Sequence, residues 1–177
     1  MSKIRWLLAM MGGAAVAGAV SMLSVLGVTA SASADPGTIL KFDTMTPVTG
    51  PYVGTANPLR AVPGGGLPWM ITAGTGSLKR DGHLLVKVRG LVLAAQPPVP
   101  AALQGINPIP DFRAIVSCQS IGTGDTATIT NVSTAEFPAS TAGNSNIDAT
   151  VSLPQPCIAP IVFVTSPGGS WFAATGG

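Results

Sequence analysis

After residue 34 no stretch longer than a turn shows helical periodicity, and this constrains the chain more than any other feature. What remains is a series of short extended runs, and 18 of the 22 Gly and all 16 Pro lie there to supply the turns between them. Such a series predicts an all-β domain: a single antiparallel β-sandwich, immunoglobulin-like or jelly-roll-like.

The first 34 residues read differently. Lys3 and Arg5 precede an uncharged stretch from Trp6 to Ala34 that ends in "TASASA". The small residues Ala32 and Ala34 fit a signal-peptidase site, so the sequence predicts a helical signal peptide over 1–34, cleaved before Asp35. The stretch is also long enough to span a bilayer, and an uncleaved N-terminal anchor is the alternative. No twin-Arg pair and no lipid-accepting Cys accompany it, which points to the general export route and a secreted product. Beyond residue 34, seven Lys and Arg stand against seven Asp and Glu, so the formal charge of +2 belongs to the leader. With no net charge there is no footprint for nucleic acid, and that partner is excluded.

Residues 35–66 read as a loop-rich segment, with one short strand at Ile39–Phe42, and 67–177 as the sandwich proper. The clearest local signal is "GSLKRDGHLLVKVRGLVLA". Asp81–Gly82 between two extended runs predicts a two-residue hairpin turn, since Gly tolerates positive φ. That register sets Lys79 opposite Leu84 and Leu78 opposite Leu85. Leu84, Val86 and Val88 then share a buried face with Lys79 and Ser77, while Arg80, His83, Lys87 and Arg89 share a solvated one with Leu78 and Leu85. Gln96–Pro110 is too rich in Pro for a central strand. In "FRAIVSC", Phe112, Ala114, Val116 and Cys118 fall on the core face, with Arg113 and Ser117 on the other.

Cys118 and Cys157 are the only cysteines, and in an exported chain an even pair predicts one disulfide. Cys157 opens a tail of twenty-one uncharged residues. Pro160 and Pro167 break it into runs too short to span a membrane as a helix. It reads as a terminal hairpin, "CIAPIVFV" and "SWFAAT" joined by "TSPGG", with Phe163 and Trp171 or Phe172 in the core. No membrane span is expected after cleavage.

Three segments, "GLPWMITAGTGSLKRDGHLLVKVRGLVL", "NPIPDFRAIVSC" and "LPQPCIAPIVFVTSPGGSWFAATG", resemble a group of small exported bacterial proteins, mainly actinobacterial. Those proteins carry a similar cysteine pair and a C-terminal "APIVFVTSPxGxWFAxTG" pattern. The likeness covers most of residues 65–176 and implies export. It brings no catalytic residue, cofactor or substrate to carry over.

Catalytic patterns are thin. A single His and the lack of a G-x-S-x-G elbow argue against a serine hydrolase. His83 beside a turn reads as a turn histidine. Glu136 is the one Glu, each Asp is isolated, and two Cys with one His cannot supply four metal ligands. No catalytic, cofactor or metal residues are therefore assigned. Two features suit binding. Arg80, His83, Lys87 and Arg89 form a basic face that fits an anionic wall polymer or lipid headgroups, although such clusters are commonly plain solvated surface. Tyr52, Trp69 and Trp171 would stack on sugar rings if exposed, although aromatics in so apolar a chain are commonly core. The reading that follows is a non-enzymatic binding or structural component at or near the cell envelope, its partner a wall polymer or an envelope protein. The alternatives are a secreted hydrolase with a carboxylate or His83 site, and a small-ligand carrier.

Overall fold

The computed structural model describes residues 37–176, and the expected signal peptide lies outside them. Twelve strands follow in order: β1 (Thr38–Phe42), β2 (Thr46–Pro47), β3 (Trp69–Met70), β4 (Ala73–Lys79), β5 (His83–Arg89), β6 (Val92–Leu93), β7 (Asp111–Ile121), β8 (Ala127–Ser133), β9 (Phe137–Pro138), β10 (Ser145–Thr150), β11 (Ile158–Thr165) and β12 (Trp171–Ala174). One antiparallel sheet runs β1-β4-β5-β10. The other runs β2-β12-β11-β7-β8, with β9 pairing the start of β7. β3 and β6 form a two-stranded ribbon of their own.

Alternation along the strands builds the core between the two sheets. Leu78, Leu84, Val86, Val88 and Ile147 come from the first sheet, and Phe112, Ala114, Val116, Cys118, Val162 and Val164 from the second; all are buried in one cluster. At its centre Trp69 stacks on Phe172 with ring centroids 4.0 Å apart, and Phe112 meets both rings edge-on. Fully burying one such aliphatic side chain contributes about 1.5–3 kcal/mol, so these alternating positions dominate the stability.

The hairpin register differs from the sequence expectation. Leu78 pairs with Leu84 and Ser77 with Leu85, which leaves Arg80, Asp81 and Gly82 as a three-residue loop. Gly82 donates to the Lys79 carbonyl at 3.0 Å and holds φ +89°, the geometry of a type I turn closed by a left-handed residue. The faces of β5 stand as expected. On β4 it is Leu78, not Lys79, that is buried, because the two-residue register would bury Lys79 opposite the core residue Leu84 and leave Leu78 exposed.

The 35–66 segment also does more than lead in. β1 is an edge of the first sheet, β2 is an edge of the second, and Met45, Val48 and Val62 join the core. Residues 48–65 fold over the outer face of the second sheet. Gly65 N–H donates to the Trp171 carbonyl at 2.9 Å and Trp171 N–H to the Pro63 carbonyl at 2.8 Å. On that face of β7, Ser117 is consequently buried and Arg113 half-buried, its guanidinium held by the carbonyls of Pro167 and Thr134.

The disulfide forms between Cys118 and Cys157, with Cα atoms 4.9 Å apart. It joins neighbouring strands of one sheet, since Ile158 pairs with Gln119. Such a bond belongs to an oxidising compartment. Among the described residues no helix is long and apolar enough to cross a membrane.

Two measurements check this account. The disulfide closes a loop of 39 residues, for which the chain-entropy relation gives about 4 kcal/mol; urea unfolding with and without reductant should show a loss of that order. At Gly82 an added Cβ would meet the Val151 carbonyl oxygen at 1.8 Å in a backbone conformation that disfavours side chains. Gly82→Ala should therefore cost about 2 kcal/mol or more. A loss under about 0.5 kcal/mol would contradict that close approach.

Candidate functional site

On β12, Trp171 and Phe172 are neighbours yet face opposite ways. A register shift between Val164 and Thr165 sets Trp171 opposite Thr165, on the outer side, while Phe172 enters the aromatic core. Trp171 is 4% exposed, packed against Phe163 and covered in part by Tyr52, whose ring centroid lies 6.4 Å away at 56°. Its indole Nε1 is buried with no acceptor among the described residues. Tyr52 itself is 47% exposed.

Around this pair lies a hollow of about 300 Å³ lined by Thr46, Pro47, Thr49, Tyr52, Leu59, Trp171 and Ala174–Gly176. No lining side chain is charged. A second hollow, of about 620 Å³, shares Pro47 and Thr49 with it and extends past Pro68, Met70 and residues 94–98. It too is uncharged. Together they offer the Tyr52 ring face, proline rings, threonine hydroxyls and backbone polar groups. Smaller hollows lie at the hairpin tip (Gly37, Lys79, Arg80, Asp81) and beside Asp43–Met45.

Local geometry fixes the walls of the aromatic hollow. Tyr52 sits in a short 3-10 turn, Gly50–Tyr52, and an added Cβ at Gly64 would strike its carbonyl oxygen at 1.9 Å. Only glycine lets the returning chain approach so closely. Leu59 is held by a two-residue turn in which Leu59 and Val62 exchange backbone hydrogen bonds of 3.0 and 2.9 Å. Both central residues, Arg60 and Ala61, adopt positive φ without being Gly or Asn. That costs about 1–2 kcal/mol per residue. Bonds from Arg60 Nη1 to the Ser117 carbonyl, and from Asn131 Nδ2 to the Arg60 carbonyl, offset part of the strain and anchor the turn to β7 and β8.

Of the three rings expected to stack at the surface, Trp69 at 3% exposure belongs to the core and Trp171 at 4% is buried beneath Tyr52, so Tyr52 alone offers a surface ring. The basic face is present, and two of its four side chains are engaged. Arg89 donates through Nη1 and Nη2 to Asn146 Oδ1 at 3.2 Å, and also to backbone carbonyls. His83 Nε2 lies 2.9 Å from Asp148 Oδ1 across β5 and β10. Arg80 and Lys87 are exposed and have no ion pair among the described residues. The His83–Asp148 contact is the one His–acid pairing among the described residues. It stands on the outer face of the first sheet, with the side chains 35% and 69% exposed, and neither residue lines any of the four hollows. Among the described residues no hydroxyl or thiol bonds to His83. Among the described residues no three His, Cys, Asp or Glu side chains cluster as metal ligands.

Comparison with protein families, with curated proteins and with solved structures finds no match to this chain.

An exposed side-chain contact such as His83–Asp148 contributes between zero and about 1 kcal/mol. Asp148→Asn should accordingly leave the unfolding midpoint in urea nearly unchanged. A loss beyond about 2 kcal/mol would show that the pair anchors the β5–β10 seam.

Proposed function

We propose that the protein is an exported, non-enzymatic binding module that acts at or near the cell envelope, holding an uncharged wall polymer in the Tyr52–Trp171 hollow and its extension. The observation that carries this reading is the pairing of a half-exposed Tyr52 with a buried Trp171 in a recess without a single charged side chain. Such a recess favours a neutral, partly apolar ligand. Sugar rings have that character, with a C–H face for the tyrosine ring and hydroxyls for the exposed Thr46 and Thr49. Pockets lined by apolar and aromatic side chains with a few polar groups are the usual form of a binding site.

Export is supported by the leader-like first 34 residues, by the resemblance to small exported proteins, and by a disulfide suited to an oxidising compartment. The basic hairpin face is the weaker contact surface, since Arg89 and His83 already have partners within the sheet. A hydrolase reading has a His–acid pair but no cleft around it. A carrier reading needs an interior cavity, and the space between the sheets is filled by aromatic and aliphatic side chains.

A pull-down of residues 35–177 on isolated cell-wall and membrane fractions across a salt series tests the reading. Retention on the wall fraction should vary little with salt. Tyr52→Ala should lower it about fivefold, the value of roughly 1 kcal/mol of ring contact, while Lys87→Ala should not. Retention that falls steeply with salt and is lost in Lys87→Ala would move the contact to the basic face. No retention on either fraction would sink the envelope-binding reading.

A further inference from the structure

The two main sheets and β9 present five edges, and four of them are blunted against pairing with another strand. β1 carries Lys41 and a bulge between Thr38 and Leu40. β10 carries Asp148, β2 is two residues long and ends in Pro47, and β9 is two residues long and ends in Pro138. Charges, bulges, prolines and short lengths are the standard protections of sheet edges. β8 has none of them. Its seven residues, "ATITNVS", contain no charge and no proline, four are β-branched, and the strand pairs β7 in unbroken register. On its free side no backbone group bonds to any described residue.

Beside this bare edge lies an apolar patch. Gln119 pairs with Ile158 on one side and Ile129 on the other, so these two isoleucines occupy one row of the sheet, and Ile121 follows two residues along β7 on the same face. All three are exposed.

We infer that β8 pairs antiparallel with β8 of a second copy of this chain, extending the six-stranded sheet across a two-fold axis. The strand suits its own reverse. Centred on Thr130, the pairing sets Ala127 opposite the partner's Ser133, Thr128 opposite the partner's Val132, and Ile129 opposite the partner's Asn131. No pair brings like charges together, and Thr–Val and Thr–Thr neighbours favour cross-strand contact. The two Ile129 side chains become diagonal neighbours, about 7–8 Å apart, so the apolar patches of the two chains meet. A chain with no net charge from residue 35 onward adds little repulsion to the approach. An isologous strand pair of this size is smaller than a standard permanent interface, and the dimer should therefore be reversible.

Sedimentation equilibrium of the protein, in the form that accumulates in expressing cells, tests the inference over a concentration series. A reversible monomer–dimer equilibrium is expected. Ile129→Lys and Thr128→Lys, both on exposed positions of the strand, should each raise the dissociation constant at least tenfold, because the first sets two ammonium groups at diagonal positions beside the axis and the second replaces the Thr–Val cross-strand contact on both sides of it. Thr44→Lys, exposed on a loop distant in sequence from β8, should leave it unchanged and serves as the charge control. Far-UV circular dichroism and an intact disulfide establish that each variant is folded. Monomer at every concentration overturns the inference, and so does a dimer whose dissociation constant neither β8 variant moves.

Discussion

The eleven-residue strand β7 is the constraint on which the rest of the sandwich depends. Its inner side chains, Phe112 to Cys118 in alternation, make half of the core wall, and both of its edges are paired over most of their length, by β11 on one side and by β8 and β9 on the other. A strand so engaged cannot shift by one residue without turning four core side chains toward the outer face. The disulfide then ties its far end to the strand beside it. That bond pins the start of β11 beside the end of β7, and the register shift at the other end of β11 sends Trp171 outward and Phe172 inward. The aromatic hollow is thus set by contacts that begin two strands away from it.

Much of this was readable from the residues, because core formation in a sandwich is written in alternation. The inner face of β7, the inner face of β5, the disulfide and the terminal hairpin all follow from a period of two and the spacing of turn residues. The register of the Lys79–His83 loop did not follow. Asp-Gly serves a two-residue turn as well as a three-residue loop that closes on a left-handed glycine, and local sequence does not separate them. Only the competing burial of Leu78 and Lys79 decides, and that is a tertiary effect. The same limit hid the fate of residues 48–66. Their glycines and prolines mark turns truthfully, but nothing local shows that the turns lie on the outer face of a sheet and bury Ser117.

The candidate site was half legible for a related reason. Tyr52, Trp69 and Trp171 stand out in a chain with few aromatics, yet which ring meets water depends on strand direction and on a one-residue bulge. Alternation from Trp171 assigns opposite faces to Trp171 and Phe172 without saying which one is inside. Trp69 lies against Phe112 and Phe172, three strands that only the folded chain brings together. The turn at Arg60–Ala61 left no sequence signal at all. Positive φ without Gly or Asn is chosen here by the anchoring of Arg60 to Ser117 and Asn131, partners 57 and 71 residues away.

The placement of the two proposed surfaces has a consequence of its own. The Tyr52–Trp171 hollow lies at the β2–β12 edge of the six-stranded sheet, and β8 is the opposite edge of that same sheet. Pairing through β8 would leave the hollow untouched and give each dimer two of them, at the two outer ends of one continuous sheet. On a repetitive polymer, two sites held by a rigid sheet convert the second contact into an intramolecular one, which multiplies weak binding without any new contact. A shallow, uncharged hollow is expected to bind weakly on its own. A reversible dimer therefore makes retention depend on protein concentration as well as on ligand density, a behaviour that neither a single deep pocket nor a charged face would produce.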